Sequence, residues 1–173
     1  MNESTTAADN PPQNITTYYA IDGRASRFTV RAFATGLLSV MGHNPTIAIR
    51  DFNGGMNFDP EKVEAGAFRI AIKASSLTVQ DDISTKDRRE MERLMNEEVL
   101  ESAKYPEIRY EAGVISVSRV SDLLYAATLE GGLNLRGVTR QQPITARITL
   151  LGSMLRSSGE FTLRQTDYGI KLI

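Results

Sequence analysis

The residues of this chain best suited to chemistry lie in a turn around its single histidine, His43. Gly42 precedes the histidine, and Asn44 and Pro45 follow it. An imidazole can act as a general base, hydrogen-bond a ligand or bond to backbone in a packed turn. A catalytic triad needs a nucleophile, a base and an orienting group, and apart from nearby Ser39 the sequence marks out no such set. Two main alternatives remain, a packed turn residue and a polar contact to a bound ligand.

Metal and phosphate chemistry find little support elsewhere in the sequence. The chain has no cysteine and one histidine, which excludes thiolate nucleophiles and cysteine- or histidine-rich metal clusters. Asp59, Asp81, Asp82 and Asp87 lack the alternating spacing and central glycine of a calcium loop. The sequence also contains no nucleophile elbow, no phosphate-cradling glycine loop and no zinc-protease motif. We therefore predict a protein without enzymatic activity, cofactor or metal site.

Composition is that of a soluble protein with one main domain. Its 173 residues carry 20 Lys+Arg against 21 Asp+Glu, a net charge of −1. This balance offers no basic surface for nucleic acid, and no run reaches the roughly 18 apolar residues of a transmembrane helix. Residues 1–17 are polar and predict a disordered leader rather than a secretory signal. As written, the sequence predicts a cytoplasmic protein.

Alternation of polar and apolar residues is the dominant structural signal from residue 18 onward. It is clearest in residues 67–74, where Phe68, Ile70 and Ile72 share one face. The break at residues 53–55 predicts a bulge, and so does Gly113, before Ile115. Alternation predicts further strands in residues 19–22, 27–31, 46–50, 52–58, 108–117, 125–136, 144–150 and 155–164.

Residues 84–100 change to helical spacing. Ser84 and Asp87 form a helix start signal, a weaker version of the capping box. The apolar residues that share the helical stripe are Met91, Leu94, Met95 and Val99. An amphipathic helix that lies on a sheet or covers a barrel end is favoured over a membrane-facing helix, because the charges are mixed in sign.

Many half-buried strands joined by short polar turns indicate a sandwich or a closed barrel. With about eight strands, a barrel interior is either filled by side chains or wide enough for one ligand. The inward faces include small residues that would leave room, namely Ala127, Gly131, Ala146 and Gly159. This pattern fits a lumen and also fits a tapered, filled core. Arg136 and Arg140 flank a predicted tight turn with exposed charges, and recognition of an anionic headgroup is the minor alternative.

Several short motifs, in this order and spacing, resemble the YceI-like family over residues 18–170. The matching elements are Tyr19-Ala20-Ile21-Asp22, Gly42-His43, Phe52-Asn53-Gly54-Gly55, Phe58-Asp59-Pro60, Ser75-Ser76-Leu77, Lys104-Tyr105-Pro106, Leu135-Arg136-Gly137-Val138-Thr139-Arg140, Phe161–Arg164 and Asp167-Tyr168-Gly169-Ile170. The resemblance implies an extended, lipocalin-like antiparallel β-barrel of about eight strands with one or two covering helices, spanning residues 18–173.

The resemblance further implies non-enzymatic binding of a long-chain apolar lipid in the barrel lumen, such as a polyisoprenoid or an isoprenoid quinone. We expect the ligand to contact the inward apolar faces and the His43 turn. The candidate ligand-binding residues are Phe28, Val30, Leu38, His43, Phe68, Ile70, Ile72, Tyr125, Ala127, Leu129, Gly131, Leu133, Phe161 and Leu163. The alternative from another class is a protein-interaction barrel with a filled core and no ligand.

Two departures from the family pattern concern the ends of the chain. Many members are exported to the periplasm, whereas this sequence shows no secretory signal. A periplasmic location is therefore the alternative to the cytoplasm. Members also continue past Asp167-Tyr168-Gly169-Ile170 into a final strand, whereas this sequence stops at Ile173. A barrel without its last strand exposes an edge that can pair with another chain. The sequence therefore leaves open a homodimer formed through that edge.

Overall fold

The computed structural model describes residues 16–33 and 44–171. The candidate residues Leu38 and His43 lie outside these ranges. Within them the chain forms eleven β-strands and one α-helix. Among the described residues, the helices lack the length and hydrophobicity of a membrane-spanning helix.

Nine of the eleven strands follow the predicted alternation, whereas the short strands Leu77–Val79 and Val138–Gln141 were not predicted. Their bounds are β1 Tyr18–Ala20, β2 Thr29–Arg31, β3 Thr46–Ile49, β4 Phe52–Asn57, β5 Ala67–Lys73, β6 Leu77–Val79, β7 Glu107–Arg119, β8 Leu124–Leu135, β9 Val138–Gln141, β10 Ile144–Leu151 and β11 Met154–Gly159. Short 3₁₀ turns occupy Val63–Ala65, Ala74–Ser76 and Gln165–Tyr168.

All pairings are antiparallel and form two connected sheets. The main sheet has the order β1-β4-β5-β7-β8-β10-β11, and β9 also pairs with β8. The smaller sheet, β2-β3-β6, continues the main one, because β3 leads directly into β4 and β5 leads through Ala74–Ser76 into β6. The predicted architecture, an extended antiparallel barrel of about eight strands, is confirmed.

The residues of one face of each central strand form the core. On β5, Ile70 and Ile72 are buried while Arg69 and Lys73 are exposed, as their alternation predicts. Ile70 pairs with Tyr110 of β7, which in turn pairs with Leu133 of β8, so buried residues lie opposite one another across three strands. Register is fixed in this way because a slip of one residue would turn each apolar side chain to solvent.

The bulge predicted at Gly113 lies slightly later in the chain. The register between β7 and β8 shifts between Val114 and Ser116, which leaves Ile115 as the extra residue. Val114 is buried and Ile115 is exposed. Because the bulge comes after Val114, Ile115 does not continue the inward alternation, which resumes at half-buried Val117.

The bulge predicted at residues 53–55 is absent from the described structure. β4 keeps an unbroken register with β5 from Phe52 opposite Ile72 to Asn57 opposite Ala67. Gly54 instead marks a close approach of two backbones, since a Cβ atom there would overlap the carbonyl oxygen of Arg69. Its φ of 153° also disfavours any other residue.

The predicted helix begins where its start signal indicated. The Ser84 side chain accepts a hydrogen bond from the Asp87 N–H at 3.0 Å, and α1 spans Thr85–Leu94. A π-helical turn, Met95–Val99, extends it. Met91 and Met95 are buried, and the Glu92 carboxylate accepts a hydrogen bond from the Val79 N–H of β6 at 2.9 Å. The helix therefore lies against the smaller sheet, as the covering role requires.

Candidate functional site

The inner face of the barrel is apolar. Apart from the hydroxyls of Tyr110 and Tyr168, no polar or charged side chain is buried within residues 16–33 and 44–171, and most of the buried apolar residues form one cluster. At its centre Ala146 of β10 pairs with Ala127 of β8, and Ile148 is fully buried beside Tyr125. Such a surface binds by removing apolar area from water and gives little discrimination among polar groups.

The inner face is not fully covered near one end of the strands β7, β8, β10 and β11. Tyr125 pairs with buried Ile148, and Leu150 follows Ile148 two residues later on the same face. Leu150 pairs with Leu155 of β11, so Leu155 shares this face. Tyr125, Leu150 and Leu155 pack on the core but are only half-buried. An apolar inner surface therefore remains available there.

Aromatic rings line the same interior. The Phe58 and Tyr125 rings meet edge to face with centroids 5.9 Å apart. Phe28 and Phe52, on the side of the smaller sheet, meet edge to face at 4.8 Å. Rings in this geometry pack firmly and give the wall a defined shape.

Tyr110 supplies a polar atom to the inner wall. Its hydroxyl donates a hydrogen bond to the Gln142 carbonyl at 2.8 Å, and its ring lies 6.1 Å from that of Phe68. Burial raises the pKa of Tyr110 to about 12, so the hydroxyl keeps its proton at all ordinary pH values. A ligand carbonyl would have to displace the bond to Gln142.

Two of the small inward residues do not leave room for a ligand. A Cβ atom on Gly131 would overlap the Glu111 carbonyl oxygen of β7, and one on Gly159 would lie 2.9 Å from the Thr145 carbonyl oxygen. Both glycines are needed because a neighbouring strand comes close to their own backbone. The expectation that Gly131 and Gly159 open space in the lumen is therefore wrong.

The other candidate residues fall into three groups. Six lie in the buried core or at its surface, namely Phe68, Ile70, Ile72, Ala127, Leu129 and Leu133. Phe28, Tyr125 and Leu163 pack against that core while partly exposed. Val30 and Phe161 are 42% and 43% exposed and lie outside the cluster. For Phe161 the reason is that β11 ends at Gly159, so the alternation predicted through residue 164 does not continue as a strand.

Sequence reasoning omitted several residues that complete the inner wall. Leu150, Leu155 and Val117 were not among the candidate ligand-binding residues, although each belongs to an alternating segment. Their place beside Tyr125 depends on strand register, which alternation alone does not supply. Tyr110 could have been found as a tyrosine on an otherwise aliphatic inward face.

The arginines near the β8–β9 turn are held by protein groups. Arg136 and Gly137 have φ values of 52° and 73°, the pattern of a two-residue hairpin turn. The Arg136 guanidinium forms an ion pair with Glu101 and donates to the Gly169 carbonyl, and the Arg136 side chain is only 21% exposed. Arg140 donates to the Asp167 carbonyl at 3.0 Å. The predicted turn is confirmed, but the prediction that Arg136 is exposed is wrong.

Two bacterial proteins are similar to this chain in sequence. The proteins of Pseudomonas savastanoi pv. phaseolicola and Pseudomonas syringae pv. syringae named UPF0312 protein are each 28% identical over 130 residues. The match covers 70% of this chain and 62% of each relative's own length.

Solved structures share the architecture at low sequence identity. BcnA of Burkholderia cenocepacia aligns over 87% of this chain and 84% of its own, with a TM-score of 0.68 and 14% identity. A polyisoprenoid binding domain from Saccharophagus degradans aligns over 91% of this chain and 83% of its own, with a TM-score of 0.61 and 14% identity. The family model described as the YceI-like domain matches residues 19–173, and the chain therefore belongs to the YceI-like family.

Proposed function

We propose that this protein binds a long-chain apolar lipid in the barrel interior and catalyses no reaction. The observation that carries the proposal is the half-buried inner surface formed by Tyr125, Leu150 and Leu155, next to a core whose buried side chains in the described ranges are apolar except for tyrosine hydroxyls. A ligand that covers these residues would complete their burial. Each CH₂ group of the ligand that leaves water contributes about 0.8 kcal/mol.

A site that binds through apolar burial selects ligands by the length and shape of their apolar chain. Association costs about 4–15 kcal/mol in lost freedom of motion, so only a ligand with many apolar groups binds tightly here. The hydroxyl of Tyr110 is already bonded to the Gln142 carbonyl, so it offers little to a headgroup. We therefore favour a prenyl chain, and the Saccharophagus degradans domain, whose description names polyisoprenoid binding, supports that class.

An isoprenoid quinone is the finer proposal within this class. Its tail would lie on the inner wall, and its ring carbonyls would need a hydrogen-bond donor. The imidazole of His43 is our candidate donor on chemical grounds, because it can donate to a carbonyl.

A filled barrel that serves as a protein-interaction module is the second candidate. Gly131 and Gly159 favour it, because neither leaves space in the interior. β1 and β11 also favour it, since each pairs on one side only within the described residues. An unpaired strand edge can pair with another chain, including a second copy.

Two adjacent residues of β11 provide the test, since they occupy opposite faces. Leu155 is half-buried on the inner face, and Arg156 is exposed on the outer face opposite Thr149. We expect Leu155→Asn to weaken uptake of a radiolabelled prenyl alcohol by about tenfold or more, from the loss of leucine burial. Arg156→Asn, the matched control, should bind like the unmodified protein. Circular dichroism and thermal melting check that both variants fold.

The same assay separates the two candidate functions. Uptake that is lost in Leu155→Asn but kept in Arg156→Asn supports the lumenal site. If the unmodified protein takes up no prenyl alcohol, or if both variants lose uptake equally while folded, the lipid-binding proposal fails. A filled module would give the first of those results.

A further inference from the structure

Four large apolar side chains are exposed at one end of the main sheet. Val120 and Leu123, in the turn between β7 and β8, are 54% and 53% exposed. Leu151 and Met154, which flank the β10–β11 turn, are 43% and 59% exposed. Together these four residues are called the tip patch. Exposed apolar groups that cluster in this way usually mark an interaction site.

The two turns lie side by side, so the four residues form one surface. β8 pairs with β10, and Leu124 lies opposite Thr149 at the end of that ladder. One step further, the Leu150 N–H donates to the Leu123 carbonyl at 3.0 Å. Leu151 pairs directly with Met154 across the second hairpin. The patch therefore spans the tips of two adjacent hairpins.

Apart from Ile115 of β7, the exposed large apolar side chains in the four-stranded part of the sheet are confined to these tips. Further along the outer face, Arg147 lies opposite Ser158 and Ala126, with Ser118 beyond. The β4–β5 connection at residues 58–66 carries four charged residues, Asp59, Glu61, Lys62 and Glu64. The tip patch thus differs from both the neighbouring outer face and another connection of the same barrel.

Arginines border the tip patch. Arg119 ends β7 next to Val120, and Arg156 lies two residues from Met154 on the same face of β11. Arg119 forms an exposed ion pair with Asp122 at 3.4 Å, whereas Arg156 takes part in none of the ion pairs among the described residues. Two arginines against one aspartate give the border a net positive charge.

We propose that the tip patch docks this protein on the surface of an anionic lipid bilayer. Apolar side chains on two hairpin tips can enter the boundary between headgroups and acyl chains, while the bordering arginines meet lipid phosphates. A protein partner would not require this positive border, whereas an anionic bilayer matches both features of the patch.

Docking in this orientation would also place the lipid route at the membrane. Tyr125 lies opposite Arg119, and the pair Leu150–Leu155 is one step from the pair Leu151–Met154. The half-buried inner residues therefore adjoin the tip patch directly. Only this link to ligand entry rests on the proposed function, since docking itself depends on the exposed residues at the hairpin tips.

A fluorescence experiment tests the docking, and the absence of cysteine in the sequence makes it direct. Ser153→Cys places an environment-sensitive dye in the β10–β11 turn, and Gln141→Cys places it on exposed β9, away from both hairpin tips. Vesicles of phosphatidylcholine with about 30% phosphatidylglycerol, free of prenyl lipid, supply the anionic surface. We expect brighter, blue-shifted emission only from the dye at position 153. This change in emission should be smaller at high salt.

Matched variants complete the test. Leu123→Ser with Met154→Ser should weaken vesicle binding by about tenfold or more through lost apolar insertion. Ile115→Ser, which removes an exposed apolar side chain of β7 outside the patch, should leave binding unchanged. Arg119→Gln with Arg156→Gln should weaken binding and flatten its salt dependence.

Several results would overturn the docking proposal. These are absence of binding to anionic vesicles, equal responses of the two labelled positions, equal loss in the Ile115 variant, or a dye response at position 153 caused by self-association without vesicles. The Leu155→Asn variant keeps the two proposals apart. Docking without prenyl uptake contradicts only the proposed function, and uptake without docking contradicts only the tip patch.

Discussion

The two ends of strand β8 are built in opposite ways. At its C-terminal end, Arg136 bonds to Glu101 after the helix and to the Gly169 carbonyl near the end of the described chain. At its N-terminal end, the hairpin tips carry exposed apolar residues, and half-buried Tyr125 lies just inside them. The same sheet is thus tied by polar contacts at one end and left apolar and open to partners at the other.

This difference indicates that one end of the barrel serves stability and the other serves binding. The Arg136 contacts join three separate parts of the chain, and the ring of Tyr105 lies so close to Gly137 that a Cβ atom there would be 2.6 Å from it. Removing a half-buried charged partner leaves the other unpaired, so this end should govern stability. Polar substitutions at the tip end should change the free energy of unfolding little. This end should instead govern binding.

The largest effect is expected midway between the two ends, at Gly131. In Gly131→Ala the new methyl group overlaps the Glu111 carbonyl, and we expect a loss of about 3 kcal/mol in the free energy of unfolding. Gly113→Ala is the matched control on the next ladder position, because the atom nearest to its Cβ position lies 4.0 Å away. Urea denaturation of both variants measures the difference. Equal losses would show that close approach of β7 does not explain Gly131.

The next effect concerns the polar end. Arg136→Met removes the ion pair with Glu101 and the bond to the Gly169 carbonyl, and we expect a loss of about 2 kcal/mol. Arg109→Met is the control, because Arg109 pairs with Glu107 on the exposed surface, where solvent screening leaves such a pair little effect on stability. Chemical denaturation should separate the two variants clearly. A loss in Arg136→Met no larger than in Arg109→Met would remove the basis of the comparison between the ends.

The interior between the two ends gives a pH-dependent prediction. Burial raises the pKa of Tyr110 to about 12, so the folded protein keeps a proton that the unfolded chain releases at lower pH. Stability from this group is complete below the ordinary tyrosine pKa near 10 and declines as pH rises toward 12. Tyr110→Phe should cost about 1 kcal/mol at neutral pH through the lost hydrogen bond and should show a shallower alkaline decline. Identical alkaline profiles would contradict the buried position of the hydroxyl.

The smallest effect on stability is expected at the tips. Leu123→Ser with Met154→Ser should change the free energy of unfolding by less than about 0.5 kcal/mol per site, because both side chains are largely exposed. Thermal melting next to Arg136→Met measures the contrast. A loss as large as in Arg136→Met would mean that the tip patch serves folding rather than binding.

Most strands of this fold can be predicted from the sequence, because alternation depends only on residues that are close in sequence. Alternation in residues 67–74 and the start signal at Ser84 depend on neighbours within a few residues, and both are confirmed, with β5 ending at Lys73. The position of the β7 bulge depends on register with β8, so the bulge was predicted at Gly113 although it lies at Ile115. The end of β11 depends on its pairing with β10, so Phe161 was placed in a strand that had already ended.

The candidate site was harder to predict because it depends on contacts between distant strands. From the sequence, Gly131 was expected to leave space in the lumen. Its missing side chain instead accommodates the backbone of β7. Arg136 reads as an exposed turn charge, but Glu101 and Gly169 come to it from other parts of the chain. The half-buried Leu150–Leu155 pair acquires its meaning only when β10 and β11 are placed side by side.

The most direct test of lipid binding is mass spectrometry of the lipid that copurifies with the protein. The unmodified protein, Leu155→Asn and Ile115→Asn, a control at an exposed apolar residue outside the tip patch, are expressed alike, purified without detergent and extracted with organic solvent. We predict one long-chain prenyl lipid per chain in the unmodified protein and in Ile115→Asn, and a strong reduction in Leu155→Asn. Recovery of no lipid, or of trace amounts that are equal in all three proteins, would contradict the account.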